Sequence, residues 1–196
     1  MENNKYEVRR EKLLHAVKKQ GCDAILVTNF TNVSYLTGFS GDDSWLLVSD
    51  HHTVLISDTR YTEQIKHDCP GLNAYCRSMG QGMISTVVKF LSSDLAKGAK
   101  IGIEGGSMTV VVRDSIAEAA ADFTIVALSD PVEILREIKD ESEIEAIRKA
   151  ITCACRAFNA VRQTVQPWHT ELDFSRELEC VMLKLGSQER AFPTIV

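Results

Sequence analysis

Two polar segments, residues 37–44 and 58–61, carry the side chains best suited to binding chemistry. Their candidates combine acids, aromatic rings and a guanidinium: Phe39, Asp42, Asp43, Arg60 and Tyr61. Adjacent carboxylates beside an aromatic ring suit a charged ligand or a partner subunit, and loops carry such residues more often than core elements do. These five residues are therefore candidates for a binding or interface role.

Each segment also has a structural interpretation, which spacing alone favours. Residues 37–44 then form an ordinary turn, while Asp58 or Thr59 caps the next helix and Arg60 pairs with a nearby carboxylate. Both interpretations stay open at this point.

The sequence lacks the patterns of familiar catalytic centres. Its five histidines are scattered and form no H-E-x-x-H pattern. Residues 102–107 lie between a predicted strand and a predicted helix, but they match neither G-x-G-x-x-G nor G-K-[ST], so nucleotide binding is a minor alternative. No serine has a G-x-S-x-G setting. We assign no catalytic residue and no metal ligand to this chain.

The six cysteines include no C-x-x-C pair and sit mostly in apolar periodic segments. Cys153 and Cys155 are two positions apart on a predicted helix, so they point in different directions and do not share a metal ion. We predict reduced and mostly buried thiols.

Charge and hydropathy exclude several classes of partner. With 22 basic and 27 acidic residues, the chain has a net charge of −5 and no basic stripe for nucleic acid. No apolar run approaches the ~18 residues of a membrane span, and the first ten residues lack the apolar core of a secretory signal. We predict a cytoplasmic protein that binds neither nucleic acid nor membranes.

Hydrophobic periodicity predicts an α/β fold with a mixed sheet. The predicted helices are 7–19, 61–67, 83–91 and 109–121, and the predicted strands are 23–29, 45–49, 53–57, 72–76, 100–103 and 123–128. A short polar connection makes the second and third strands a hairpin, so an antiparallel pair interrupts the alternation of strands and helices. The composition of residues 32–44 predicts a shaped loop rather than a core element.

A second domain is predicted to begin at Pro131, because Asp130 before a proline is typical of a helix start. Two long amphipathic helices follow, 140–165 and 170–186, each preceded by a residue able to cap it. Residues 191–196 resemble a strand without a sheet. We predict domains at 1–130 and 131–196, the second incomplete, with Val196 an internal boundary of a longer protein.

Five stretches taken together resemble the creatinase, prolidase and aminopeptidase P family of pita-bread metallopeptidases. They are residues 32–41, 58–64, 101–104, 139–150 and 192–196. Each match is weak alone, but their order along nearly the whole chain is specific. The resemblance implies a mixed α/β N-terminal domain followed by the first helices of a pita-bread domain.

The resemblance also implies a function for the intact protein. The family cleaves the bond before proline in peptides and uses two divalent metal ions, often manganese, bound beyond the Phe-Pro-Thr-Ile-Val segment. Members tend to form homodimers in which the N-terminal domain reaches towards the neighbouring active site. Asp42 or Asp43 is then expected to attract a substrate amine and Phe39 to wall a pocket. The chain itself is expected to be inactive and to bind no metal.

Three alternatives stay open. The intact protein is a creatinase-like amidinohydrolase, or it is a peptide- or protein-binding relative without catalysis, or the chain is an unrelated nucleotide-binding α/β domain. The residues beyond Val196, a substrate panel and a nucleotide titration distinguish them.

Overall fold

The computed structural model describes residues 2–196, with side chains described from Lys5 onward. The chain forms two compact units, the first ending at Ile138 and the second running from Lys139 to Val196. The first unit thus reaches Ile138 rather than Asp130. The assignment of the two parts to two family domains stays a prediction.

The first unit is a six-stranded sheet with helices on both faces, as the mixed α/β prediction requires. Its helices are α1 Glu2–Lys19, α2 Phe30–Thr37, α3 Thr62–Asp68, α4 Met83–Asp94, α5 Val110–Ala119 and α6 Glu133–Glu137. Its strands are β1 Ala24–Val27, β2 Ser44–Ser49, β3 Thr53–Asp58, β4 Ala74–Arg77, β5 Lys100–Glu104 and β6 Thr124–Leu128. A 3₁₀ turn, Thr59–Tyr61, joins β3 to α3.

The strand order is β4-β3-β2-β1-β5-β6, and of these six strands β2 alone runs against the others. The predicted hairpin is confirmed, since β2 and β3 pair with Leu46 opposite Leu55. The chain first adds strands on one side of β1 and then returns to pair β5 with its other side, Ala24 opposite Ile101. The carboxyl ends of β1 and β5 are therefore the point at which the strand order reverses.

Alternating side chains of the strands supply two separate hydrophobic cores. Ile25 and Val27 of β1 face a core with α1, α2 and α3, whereas Leu26 faces a core with α4 and α5. All four residues of β1 are buried, as expected for a central strand covered on both faces.

Helix α2 corrects part of one prediction, because residues 32–37 of the predicted loop 32–44 belong to this helix and only the residues after them form a loop. Asn29 caps the helix by accepting hydrogen bonds from the backbone N–H groups of Thr31 and Asn32, and Gly38 ends it with a left-handed φ of 82°. Val33 and Leu36, three positions apart, are fully buried. The glycine and hydroxyl residues in and after this segment led to the loop prediction, although the segment carries a short amphipathic stripe.

The entry to α6 corrects a second prediction. Asp130 is not the cap of a helix starting at Pro131; it has a positive φ of 49°, and α6 begins at Glu133 after Val132. Asp130 instead provides the tight turn that brings Val132 into the core.

The second unit contains two helices, α7 Glu141–Val161 and α8 Glu171–Lys184. Both predicted caps are confirmed as complete capping boxes, Asp140 with Glu143 and Thr170 with Asp173. Phe158 and Phe174 meet edge to face at 6.1 Å. Ile147, Ile151 and other residues of the α7 stripe stay exposed within this unit, and residues 191–196 are irregular rather than a strand.

The cysteines are free, as predicted, but only some are buried. Cys22 and Cys69 are buried, whereas Cys155 and Cys180 are exposed, because the faces of α7 and α8 that carry them are not covered within the second unit. Within residues 2–196, no helix combines the length and the apolar character needed to cross a membrane.

Candidate functional site

The two polar segments identified in the sequence meet at one end of the sheet. The segment of residues 38–44, here called the access loop, ends at the first residue of β2, and residues 58–61 begin at the last residue of β3. Because β2 and β3 are antiparallel neighbours, the start of one lies beside the end of the other, with Ser44 opposite Ser57. All five candidate residues therefore lie at the carboxyl edge of the parallel strands.

Phe39 anchors the access loop to the hydrophobic core. Its side chain is fully buried in the core beneath α1 and α2, and its ring meets Tyr61 edge to face at 5.5 Å. The expectation that Phe39 itself presents an aromatic face is wrong for this unit, because the apolar loop residue is drawn into the core. The aromatic side chain nearer the surface is Tyr61.

Gly41 fits between these two rings because it has no side chain. A Cβ atom at this position would lie 2.3 Å from Cζ of Phe39 and 2.8 Å from Cε1 of Tyr61. Both distances are far below van der Waals contact, so any larger residue at this position would force one of the two rings or the loop to shift. The sequence Phe-Ser-Gly thus fixes where the next two carboxylates are held.

Asp42 is exposed and is held by an uncharged partner. The hydroxyl of Tyr61 donates a hydrogen bond to Asp42 Oδ1. This bond is the main reason that the pKa of Asp42 lies below its ordinary value and that the pKa of Tyr61 lies above its own. Asp42 is therefore an ionised carboxylate in a fixed position.

Asp43 is neutralised by two guanidinium groups. Nη2 of Arg60 lies 3.3 Å from Asp43 Oδ2, and Nη2 of Arg77, at the end of β4, lies 3.4 Å from both carboxylate oxygens. The Asp43 carbonyl oxygen accepts a 2.7 Å hydrogen bond from Ser57 Oγ. Asp43 thus ties the access loop to β3 and β4.

Asp58 has the capping role that was the structural alternative for this segment. Its Oδ1 accepts hydrogen bonds from the backbone N–H of Arg60 at 2.8 Å and from Arg60 Nε at 2.9 Å. The backbone bond is the larger cause of the lowered pKa of Asp58, and the side-chain bond raises the pKa of Arg60. Arg60 therefore bridges Asp58 and Asp43.

The charges of the cluster leave one carboxylate without a cationic partner among these contacts. Asp43 and Asp58 share the guanidinium groups of Arg60 and Arg77, whereas Asp42 receives its side-chain hydrogen bond from a phenol. The cluster is therefore negative by one charge, located at Asp42. Such a carboxylate can bind an ammonium or guanidinium group of a ligand.

Sequence reasoning missed Arg77, which is mostly buried at the end of a weakly patterned strand. Its Nη1 donates a 2.9 Å hydrogen bond to the Gln81 carbonyl oxygen, and its side chain is only 12% exposed. The sequence feature that could have identified it is its position directly after the predicted fourth strand. In the structure this position lies beside Asp58 at the same sheet edge.

A second missed group lies where the strand order reverses. Glu104, the last residue of β5, is buried and accepts hydrogen bonds from the backbone N–H groups of Thr28 at 2.6 Å and Asn29 at 2.9 Å. Asn32 of α2 donates to Glu104 at 2.7 Å. An acid that ends an otherwise apolar strand was the available signal.

The structure gives no support for nucleotide binding at residues 102–107. In open α/β sheets the crevice between the carboxyl ends of strands at a reversal is the usual ligand site. Here the carboxyl group of Glu104 already accepts hydrogen bonds from the backbone N–H groups of Thr28 and Asn29 that could otherwise bind a phosphate.

The described residues do not fit a metal centre. Across residues 2–196, no three His, Cys, Asp or Glu side chains converge closely enough to hold a metal ion. In the access loop, Asp43 is paired with arginine, which leaves Asp42, bound by the Tyr61 hydroxyl, as a single carboxylate.

Comparison with known proteins identifies relatives of the whole chain. The creatinase/prolidase N-terminal domain family matches residues 9–138. The uncharacterized peptidase YqhT of Bacillus subtilis is 32% identical over 189 residues, which are 96% of this chain and 52% of the relative. The chain spans about half the length of the curated relatives it matches.

Solved structures give the same result. The Xaa-Pro dipeptidase from Bacillus anthracis superposes with a TM-score of 0.89 at 29% identity, covering 95% of this chain and 51% of that one. The N-terminal domain of cytoplasmic peptidase PepQ from Mycobacterium tuberculosis, 30% identical with a TM-score of 0.59, covers 65% of this chain and 98% of its own.

Proposed function

This chain belongs to the creatinase/prolidase N-terminal domain family, and from that membership we propose that it forms the N-terminal half of a metal-dependent Xaa-Pro peptidase. One observation carries the proposal: the likeness to the Bacillus anthracis Xaa-Pro dipeptidase extends over both units, 95% of the chain, at 29% identity. A binding domain that shared only the first unit would not match through α7 and α8.

The catalytic metals of this proposed enzyme are held outside the chain. Two divalent ions, often manganese in the family, would supply an activated water and polarise the scissile carbonyl. Among the described residues no cluster of His, Cys, Asp or Glu suits such ions, so we assign their ligands to the other half of the enzyme. Residues 1–196 alone are therefore expected to be inactive.

The proposed contribution of the first unit is substrate access in a homodimer. Asp42 is the residue best placed to attract the free amine of a peptide, because it is exposed, ionised and not paired with arginine in the cluster. Asp43 is less suited, because two guanidinium groups already neutralise it. Tyr61 and Arg60 hold the two carboxylates in place, and Phe39 anchors the loop.

Two assays test the activity. Residues 1–196 are assayed on Xaa-Pro dipeptides and tripeptides with and without Mn²⁺, and titrated with Mn²⁺ by calorimetry. A chimera in which the C-terminal half of the Bacillus anthracis dipeptidase follows this chain is assayed in parallel. We expect cleavage only by the chimera, loss of activity with EDTA, and no stoichiometric manganese uptake by the chain alone. Two tight metal sites in the chain would contradict the proposal.

The substrate panel separates the alternatives. Matched Xaa-Ala peptides control for general peptidase activity, and creatine tests the amidinohydrolase alternative. A folded chimera that binds Xaa-Pro peptides but cleaves no substrate would favour the non-catalytic relative instead.

The access role has its own test in the chimera. Asp42→Ala is expected to raise KM for short peptides about tenfold, the scale of one lost hydrogen-bonded ion pair, with little change in kcat. Asp43→Ala should have a smaller direct effect on KM. Unchanged kinetics for both variants would remove the access role while leaving the peptidase assignment intact.

Assembly and location complete the proposal. We place the intact protein in the cytoplasm as a homodimer that acts on proline-containing peptides. Light scattering of the chimera measures its mass, and a monomer with full activity would exclude a contribution of the access loop to a neighbouring active site.

A further inference from the structure

Asn32 of α2 contacts two elements that are distant from it in sequence, β5 at a separation of 72 residues and α6 at a separation of 101. Its Nδ2 donates hydrogen bonds to Glu104 at the end of β5, at 2.7 Å, and to Glu133 of α6, at 2.6 Å. Its Oδ1 accepts a 2.9 Å hydrogen bond from Nη1 of Arg136, also on α6. Two carboxylates require the donor side of the amide and the guanidinium requires the acceptor side, so the contacts agree in orienting it.

Helix α6 is short and has few other anchors. Val132 before it is buried, Leu135 packs against the same core, and the Leu135 carbonyl oxygen accepts a 3.2 Å hydrogen bond from the Tyr35 hydroxyl. The helix has only five residues, and no side chain caps its N-terminus at Val132. It is reached through Asp130, whose positive φ of 49° is a left-handed conformation that aspartate adopts less readily than glycine. Of its neighbouring apolar side chains, Ile134 and Ile138 are exposed.

The other side of the contact is rigid and deeply buried. Asn32 is fully buried, and Glu104 is bound to the backbone that links β1 to α2. This half of the network keeps its hydrogen bonds if α6 moves away, because Asn32 still donates to Glu104. The hydrogen bond of Asn32 to the sheet and its hydrogen bonds to α6 are therefore separable.

We propose that Asn32 and Glu104 form a clasp that holds α6 over the crevice between β1 and β5, and that α6 opens as a strap while the sheet stays folded. Opening exposes the buried amide and carboxylate of the crevice. It also adds residues 133–138 to the connection that leads to α7. The proposal concerns the fold of the first unit and is independent of the peptidase assignment.

Hydrogen exchange of the 196-residue chain tests the clasp. Glu133→Ala and Arg136→Ala remove the α6 side of the contact and leave the buried pair intact. Each is expected to accelerate exchange in residues 130–138 about tenfold or more, the scale of a hydrogen bond to a charged group. Exchange in β1 and β5, Ala24–Val27 and Lys100–Glu104, should not change.

Matched variants distinguish a clasp from general loosening. Glu133→Gln keeps a side-chain oxygen that can accept from Asn32, so it should restore most of the protection. Ile134→Ala alters an exposed residue of the same helix and should have no effect. Unchanged exchange at 130–138 in both clasp variants would overturn the proposal, as would acceleration that spreads equally into the strands.

Discussion

The packing of Gly41 between Phe39 and Tyr61 predicts that even one added methyl group will destabilise the first unit. In Gly41→Ala the new Cβ would lie 2.3 Å from a ring that is fully buried and has no space to retreat. Overpacking of a filled site costs about 1–3 kcal/mol. With a urea dependence of about 2 kcal/mol per molar, a 2 kcal/mol loss lowers the unfolding midpoint by about 1 M.

Tryptophan fluorescence reports this transition separately from the second unit. Trp45 lies in β2 directly after the access loop, whereas Trp168 belongs to the second unit and is largely exposed. The measurement is therefore made with Trp168 replaced by Phe. Urea titrations compare Gly41→Ala with its parent under identical conditions.

Two further variants control the interpretation. Gly106→Ala adds the same methyl group where the nearest atom is an exposed aspartate oxygen at 3.3 Å, so its change should stay within about 0.5 kcal/mol. Phe39→Leu replaces the ring that the methyl group of Gly41→Ala would contact with a shorter side chain. The double variant should therefore lose less unfolding free energy than the two single variants lose together. A midpoint for Gly41→Ala equal to that of its parent would refute this account of the loop.

Three further predictions concern the charges and thiols of the first and second units. Asp43→Asn should destabilise the chain by about 1 kcal/mol more than Arg60→Ala in urea titrations. The Asp43→Asn variant leaves the nearly buried guanidinium of Arg77 without a carboxylate, whereas the exposed ion pair between Arg60 and Asp43 contributes little. Equal losses of stability in the two variants would contradict this. Maleimide should label Cys155 rapidly and Cys69 only on unfolding, because Cys69 is buried and its pKa is raised to about 11; equal rates in the native protein would be inconsistent with the fold. Asp42 has a lowered pKa in the folded chain, so its negative charge stabilises the fold at pH values above the ordinary aspartate pKa of about 3.9. The difference in unfolding free energy between the parent and Asp42→Asn should therefore shrink as the pH falls below about 4. A difference that grows on acidification would contradict this.

The sequence was most informative where one local rule determines the structure. The capping boxes at Asp140 and Thr170 were recognised because the cap and its partner are three residues apart. The hairpin between β2 and β3 was predictable because a short polar connection separates two strand-forming segments. The two segments of the five candidate residues lie side by side because they flank neighbouring strands, while the role of these residues in binding stays a prediction.

What the sequence did not reveal depends on contacts between distant segments. Residues 32–37 of helix α2 were predicted as part of a loop because the buried face of the helix has only a short apolar stripe. The contacts of Asn32 with Glu104 and Glu133 join segments that are far apart in sequence. The burial of Phe39 follows from the neighbouring helices, which local composition does not specify. Arg77 required knowledge that β4 lies beside β3.

The pairing of β1 with β5 has a consequence for biosynthesis. The strands β1, β2 and β3 are consecutive neighbours and can associate as soon as they leave the ribosome, but β1 meets β5 only after residues 100–104 have been made. At ~5–20 residues per second, the open edge of the apolar strand Ala-Ile-Leu-Val waits for several seconds. During that interval the nascent chain presents an unpaired hydrophobic strand, the kind of edge that recruits other chains. Slow translation between β3 and β5 should therefore favour aggregation, and a chaperone that covers β1 should relieve it.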